Sequence, residues 1–308
     1  MIDLGRYVKA RKFEKSLRCI RIDFPGIELL LKVYFSEMTM DIEKLILSYP
    51  RSRPSLTPAH EAIYVKEYIR TRSEKNEKPL VSRIVSIAAD WMHHRVASLK
   101  DGTILEIGAG ALNHLKFEET AQSYDVVEPF VALYEQGLDK GRIRKRFDDI
   151  QQISLEEKYS RIISIAAFEH LTDLPFTIAK SGLLLEPEGR LQIAIPSEGG
   201  LGWGLAWRLT TGLAYKVRTG LNYKTLMRHE HVNQASEIVS LCHHFFGAVK
   251  KSHFPLPGLQ LSVFTYLECS APHLQRCKTI TNRTEGISAL RPTSVQARAV
   301  YNLRDPSF

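Results

Sequence analysis

The stretch that decides the fold is Thr103-Ile104-Leu105-Glu106-Ile107-Gly108-Ala109-Gly110. Its first five residues are mostly aliphatic and predict a short buried strand, and the glycines that follow predict a tight turn. Such a turn lets the backbone approach a ligand closely and directs the next N–H groups toward it. The sequence therefore indicates a ligand site at the carboxyl end of this strand.

Strand-like runs recur at regular spacing after the turn. They cover residues 124–127, 143–147, 161–166 and 190–195, with helical stretches predicted at 112–122 and 130–139. A convincing helix at 235–246 is followed by two more strand-like runs, at 248–254 and 259–269. This alternation predicts an α/β fold, a doubly wound and mostly parallel Rossmann-like sheet with an antiparallel terminal strand pair.

The composition divides the chain into three parts. Residues 1–78 are predicted to form an N-terminal helical extension or cap, and residues 79–270 the α/β domain. Residues 271–308 are Arg-, Thr- and Ser-rich without a clear period and are predicted to be a flexible, basic tail. Within the domain, residues 197–228 form an insertion after the fifth strand and are predicted to be a lid over an acceptor.

Charge and cysteine usage exclude several classes of protein. The net charge is +8, but residues 1–24 and 273–308 each contribute +4, so the middle of the chain is neutral. A nucleic-acid-binding protein carries its positive field on the folded face, so no nucleic-acid partner is expected. Four cysteines without a C-x-x-C pair, and no apolar run of the roughly 18 residues that span a bilayer, predict a cytoplasmic protein. Peripheral contact with a membrane surface stays open.

Acidic residues end three successive predicted strands. Glu106 precedes the glycine turn, Glu128 lies where an acceptor for a ribose diol belongs, and Asp148 or Asp149 could receive an adenine amino group. Each of these acids could instead cap a helix. A dinucleotide fingerprint requires glycine where Asn113 stands, which disfavours a nicotinamide cofactor.

With these residues in place, the sequence resembles the class I S-adenosylmethionine-dependent methyltransferases of the small-molecule type. The resemblance covers about residues 80–270 and rests on the motifs at 105–110, 125–128, 147–150 and 163–171. It implies S-adenosylmethionine as the cofactor. The cofactor-binding residues that it implies are Glu106, Gly108 and Gly110 at the methionine end, Glu128 on the ribose, Asp148 or Asp149 at the adenine, and Phe168. The chain departs from the family at Leu112, where many members have a further glycine.

Histidines mark the side where a methyl acceptor would lie. His170 follows the fourth strand, and His231 lies in Arg228-His229-Glu230-His231; both are candidate catalytic residues, because histidine is the usual proton acceptor near pH 7. No metal site is predicted, since no third ligand is convincingly spaced beside His229 and His231. The candidate substrate-binding residues are Trp203, Arg208, Tyr223, Arg228 and His229.

These observations predict methyl transfer to a small-molecule acceptor. Aromatic side chains can stack on a sugar and Arg or Lys can pair with a phosphate, so the narrower hypothesis is O-methylation of a saccharide or of a phosphorylated, lipid-linked glycan precursor. Two alternatives stay open: an NAD-type oxidoreductase, and a non-catalytic nucleotide-binding protein with the same fold.

Overall fold

The computed structural model describes residues 41–72, 90–97, 102–119, 121–135, 137 and 140–283. The expectations for residues 1–40, for most of the predicted helix at 81–97, and for the tail beyond residue 283 therefore lie outside the described residues. Where that helix is described, residues 90–96 are helical.

A seven-stranded sheet forms the centre of the fold, with the strand order β3-β2-β1-β4-β5-β7-β6. Strands β1 to β5 pair in parallel, while β7 runs antiparallel to both β5 and β6. The predicted mostly parallel sheet with an antiparallel terminal pair is therefore confirmed. The strands are β1 Thr103–Ile107, β2 Ser123–Val127, β3 Ile143–Phe147, β4 Tyr159–Ile165, β5 Leu185–Pro196, β6 Phe246–Phe254 and β7 Phe264–Pro272.

The centre of the sheet is buried on both faces. Ile104, Leu105 and Ile107 of β1 have no accessible surface, as expected for a parallel strand covered by helices on each side. Strand β1 pairs with β2 on one side and with β4 on the other. The order of the strands reverses there, and the crevice beside such a reversal is where doubly wound sheets bind ligands.

Helices surround the sheet and form the segment after β5. Helix α4 begins at an N-cap, Asp173, whose carboxylate accepts a hydrogen bond from the Phe176 backbone N–H, and nearly all of its residues are buried. No helix of the described residues has both the length and the apolar composition needed to cross a membrane. The helices are α1 Ile42–Leu47, α2 Pro58–Arg72, α3 Val131–Tyr134, α4 Leu174–Leu184, α5 Leu201–Trp207, a π-helical turn Arg208–Gly212, α6 Leu213–Thr219, α7 Tyr223–Glu230, α8 Ala235–Phe245 and α9 Leu274–Thr281. Short 3-10 helices are Leu115–Phe117, Lys140–Arg142, Ile150–Gln152 and Phe168–His170.

Two predictions made from the sequence are wrong in this structure. The tail does not begin at residue 271, because β7 continues to Pro272 and α9 packs on α4 with Cys277 fully buried. The helix expected over 112–122 is replaced by a turn and the 3-10 helix Leu115–Phe117. Leu112 has a φ of +62°, a left-handed conformation that an α-helix cannot contain.

Candidate functional site

The glycine turn after β1 is built so that only glycine fits at its first position. Gly108 has a φ of +75°, and a Cβ placed on it would lie 2.4 Å from the Cβ of Ala167, which follows β4. Its N–H donates to the Val127 carbonyl at 2.8 Å, so the turn is joined to the end of β2. The turn therefore presents backbone groups without a side chain at the edge of the sheet where β1, β2 and β4 meet.

Leu112 stands where the sequence resemblance expects a further glycine. Leu112 adopts the left-handed conformation that glycine favours, and its side chain is buried in the core cluster beside Leu115 and Tyr124. Contacts of the side chain offset the backbone strain, which costs about 1–2 kcal/mol.

Glu106 is a buried carboxyl group beneath this turn. It is 3% exposed and accepts a hydrogen bond from the Tyr124 hydroxyl at 2.9 Å. Burial raises the pKa of Glu106 to about 8, against the opposing effect of the Tyr124 hydrogen bond. The group is thus mostly neutral at pH 7, and a cation placed beside it would draw it into the ionised form.

Glu128 connects the ends of β1 and β2 through its carboxylate. Its Oε2 accepts from the Gly110 backbone N–H at 2.6 Å, and its Oε1 from the Phe130 backbone N–H at 2.8 Å. These bonds fix the orientation of the carboxylate at the glycine turn. A carboxylate has about four acceptor positions, so each oxygen can also receive a ligand hydroxyl.

The two aspartates after β3 have different surroundings. Asp148 is exposed and pairs with Arg146 at 2.7 Å, whereas Asp149 is buried. Asp149 accepts from the Gln151 backbone N–H at 2.9 Å and caps the 3-10 helix Ile150–Gln152, the alternative that the sequence left open. Asp149 is thus the more buried of the two candidates, and which of them would contact an adenine stays a prediction. Phe168, predicted to contact a cofactor, has no accessible surface and serves as core packing instead.

His170 and His231 lie together at the same edge, and their ring centroids are 4.8 Å apart. His170 Nδ1 is 2.9 Å from the Glu230 carbonyl oxygen, and His231 Nδ1 is 2.9 Å from Oε2 of Glu198. Both partners can only accept, so each Nδ1 carries the proton and donates it. With the proton on Nδ1, the atom left to act as an acceptor is Nε2. Trp203 donates to the same Glu198 oxygen at 2.6 Å, which brings one predicted lid residue to the pair.

A segment that precedes α2 joins the two histidine loops, which are the one around His170 after β4 and the one around His231 after α7. The Arg53 guanidinium donates to the carbonyl oxygens of His229, Glu230 and His170 at 3.0, 2.8 and 2.7 Å. Asn233 donates to the carbonyl oxygens of Phe168 and Leu171 at 2.8 and 2.7 Å. These contacts were not predicted from the sequence, where Arg53 stands in the segment Pro50-Arg51-Ser52-Arg53-Pro54 without a pattern that points to its partners. The described part of the predicted cap thus helps to shape the site.

The remaining predicted acceptor residues are dispersed. His229 is buried, with Nδ1 2.7 Å from the Pro54 carbonyl oxygen and its ring edge-on to Tyr64, and its contact with substrate stays a prediction. Arg228 lines an open cavity of about 640 Å³ with Arg51 and His231. A second cavity of about 310 Å³ lies along the insertion. Its lining includes Trp207, Arg208, Lys216, Tyr223 and Lys224.

Comparison with known proteins gives structural matches alone. No family model and no curated protein match this chain. It is similar to the N-methyltransferase NodS of Bradyrhizobium japonicum in complex with S-adenosyl-L-homocysteine, at 13% identity and a TM-score of 0.44 over 69% of this chain and 99% of that one. A further match is an S-adenosylmethionine-dependent methyltransferase of Thermotoga maritima, at 14% identity and a TM-score of 0.47 over 68% and 97%. A third is an O-methyltransferase family protein of Burkholderia thailandensis, at 13% identity and a TM-score of 0.41 over 70% and 71%.

The fold is a doubly wound, Rossmann-like α/β sheet. Its antiparallel last strand and the glycine turn after β1 lie where the sequence predicted them.

Proposed function

We propose that this chain is an S-adenosylmethionine-dependent methyltransferase acting on a small molecule. The observation that carries the proposal is the Glu128 carboxylate, which the Gly110 and Phe130 N–H groups hold at the switch point of the sheet. A ribose diol needs an oriented acceptor of this kind. Glu106 beneath the turn suits a ligand that ends in an ammonium group, and Asp149 closes the adenine side.

The same contact disfavours a nicotinamide dinucleotide. A pyrophosphate would need the N–H groups of the glycine turn, but the Gly110 N–H already donates to Glu128. A phosphate there would also lie against that carboxylate and be repelled by it. The oxidoreductase alternative therefore has less support than methyl transfer.

When bound, S-adenosylmethionine supplies a methyl group on a positively charged sulfur. The residues of the chain would position the acceptor and exclude water, since a methyl transfer needs in-line approach. If the nucleophile is a hydroxyl, its proton must leave, and the Nε2 atoms of His170 and His231 are the groups proposed to handle it.

For the acceptor, we propose O-methylation of a saccharide or of a phosphorylated, lipid-linked precursor. Support comes from the 310 Å³ cavity, where Trp207 and Tyr223 offer stacking surfaces and Arg208, Lys216 and Lys224 offer positive charge. Arg208 also stacks over Trp207, with the guanidinium carbon 4.9 Å from the ring centroid.

An exposed apolar stripe on the insertion supports contact with a lipid surface. Residues at four-residue spacing are between 56% and 80% exposed: Leu201, Leu205, Leu209, Leu213 and Val217. In an α-helix this spacing advances about 40° beyond each full turn. The wider π-helical turn Arg208–Gly212 takes back part of that advance and keeps the row on one side. Basic residues beside such a row favour an anionic membrane surface.

Cys242, Cys269 and Cys277 are buried free thiols, which fits the cytoplasmic setting proposed here.

Thermal unfolding with S-adenosylhomocysteine, with NAD and with neither tests the cofactor. A ligand at about 100 times its Kd stabilises the fold by about 2.7 kcal/mol. We expect a rise in Tm with S-adenosylhomocysteine alone, lost in Glu128→Ala and kept in the control Asp148→Ala. A rise with NAD only, or an equal rise in both variants, would reject the cofactor assignment.

A labelled-methyl screen and vesicle co-sedimentation test the acceptor. Transfer to an amine or a free lipid, with no sugar hydroxyl methylated, would reject the saccharide proposal. Leu209→Glu should reduce binding to anionic vesicles, while Leu274→Glu, a change at another exposed leucine on α9, should not. Equal binding by both variants would remove the proposed membrane contact.

A further inference from the structure

Three side chains that can bind a metal converge at the acceptor side of the site. Glu169, His170 and His231 each offer a donor atom, and the three atoms lie within 4.8 Å of one another. Glu169 and His170 lie on the 3-10 helix after β4, and His231 lies in the loop after α7. Glu169 is 2% exposed, so its carboxyl group faces the interior of the protein.

The hydrogen bonds around the histidines orient them as metal ligands. Each ring donates its Nδ1 proton outward, His170 to a backbone carbonyl and His231 to the Glu198 carboxylate. Metal-binding histidines are held by this kind of outer partner, which fixes the tautomer and the ring orientation. The Nε2 of His170 lies 3.9 Å from Oε1 of Glu169. Two donor atoms on one tetrahedral zinc ion are about 3.4 Å apart, so small side-chain shifts would allow these two atoms to bind the same ion.

We propose that Glu169, His170 and His231 bind a divalent transition-metal ion. Two imidazoles and one carboxylate suit Zn²⁺ and its neighbours in the first transition row, whereas Mg²⁺ and Ca²⁺ prefer oxygen ligands alone. No metal site was predicted from the sequence, because Glu169 lies on a different loop from His231, outside any local spacing pattern.

The ion deepens the proposed function and, in this role, rests on it. Three protein ligands leave a coordination position for an acceptor hydroxyl. The bound hydroxyl would lose its proton to water, and an oxygen lone pair would form the new bond to the methyl carbon as the carbon–sulfur pair returns to sulfur. With the ion bound, the Nε2 atoms of His170 and His231 would act as its ligands, and water would replace them as the proton acceptor.

Titration of the metal-free, full-length protein with Zn²⁺ and with Co²⁺ tests the site, with binding followed by calorimetry and by the visible absorption of Co²⁺. The protein is prepared without a histidine tag, and cofactor and acceptor are left out. We expect one ion per chain in the wild type and in the control His244→Gln. Binding should be lost in His231→Gln and Glu169→Gln, and weakened about 10–100-fold in Glu198→Gln, which keeps all three ligands.

Circular dichroism and binding of S-adenosylhomocysteine establish that each variant is folded. If a ligand variant fails to fold, Glu198→Gln carries the test. Absence of one-to-one binding in the wild type, or unchanged affinity in folded His231→Gln or in Glu198→Gln, would overturn the proposal. Because the titration contains no cofactor, its failure leaves the S-adenosylhomocysteine result, and with it the proposed function, unaffected.

Discussion

Gly108 and Gly110 permit a matched test of how the cofactor turn is built. Both have positive φ, +75° and +53°, so alanine at either costs about 1–2 kcal/mol in backbone strain. The two positions differ in space, because a Cβ at 108 lies 2.4 Å from the Cβ of Ala167, while a Cβ at 110 has no neighbour within 4 Å. Relieving such a clash costs a further ~1–3 kcal/mol. Gly108→Ala should therefore be less stable than Gly110→Ala by about 2 kcal/mol.

Urea unfolding measures this difference, and thermal unfolding should place the midpoint of Gly108→Ala about 4–8 °C below that of Gly110→Ala. S-adenosylhomocysteine should stabilise Gly110→Ala nearly as much as the wild type, and Gly108→Ala much less, because residue 108 and Ala167 must move apart, which displaces the turn. Equal loss of stability in the two variants would refute the argument, since strain alone would then account for both.

Three other predictions concern buried charges. Near pH 7, binding of S-adenosylhomocysteine should release close to one proton. Burial raises the pKa of Glu106 to about 8, and the group ionises beside the arriving ammonium group. Calorimetry in buffers of different ionisation enthalpy should detect this proton release in the wild type and not in Glu106→Gln. Arg161→Met should lower the unfolding free energy by about 3–5 kcal/mol, because it leaves the buried Glu118 carboxylate without the guanidinium that donates to both its oxygens at 2.8 Å. Urea unfolding measures this loss, and the double variant with Glu118→Leu should recover part of it. Burial lowers the pKa of His93 to about 3, so below pH 6.5 the unfolded chain takes up a proton that the folded chain does not. The free energy of unfolding should therefore fall as the pH drops from about 6.5 toward 4, and it should fall less steeply in His93→Phe. Parallel dependence of this free energy on pH in the two proteins would contradict the assignment.

The sequence predicted the sheet because buried parallel strands are continuous apolar runs. Residues 104–107 are such a run apart from Glu106, and the glycines after it mark the turn without reference to any distant residue. The candidate acids were named from equally local signals: Glu106 is the fourth residue of β1, Glu128 directly follows β2, and Asp148 and Asp149 come after β3. Local signals were sufficient to name these candidates, and their contact with a cofactor stays a prediction.

The other half depends on contacts between distant segments. Arg53 and Asn233 join loops that lie far apart in the sequence, and neither belongs to a pattern that indicates its partners. Helix α9 was predicted to be a tail because its apolar residues are few, and burial of Cys277 against α4 became visible only in three dimensions. The left-handed backbone of Leu112 was also missed, because an apolar side chain in a helical pattern gives no indication of that conformation.

The hydrogen bonds of Arg53 determine how far the chain can be shortened. A fragment that begins at residue 79, the domain boundary expected from composition, would leave the carbonyl oxygens of His170, His229 and Glu230 without their shared donor. Such a fragment could keep its sheet and the glycine turn while the two histidine loops drift apart. It would report ligand affinity for the β1–β2 edge and lose the acceptor side, so the smallest version suited to acceptor screening or crystallisation starts no later than α1.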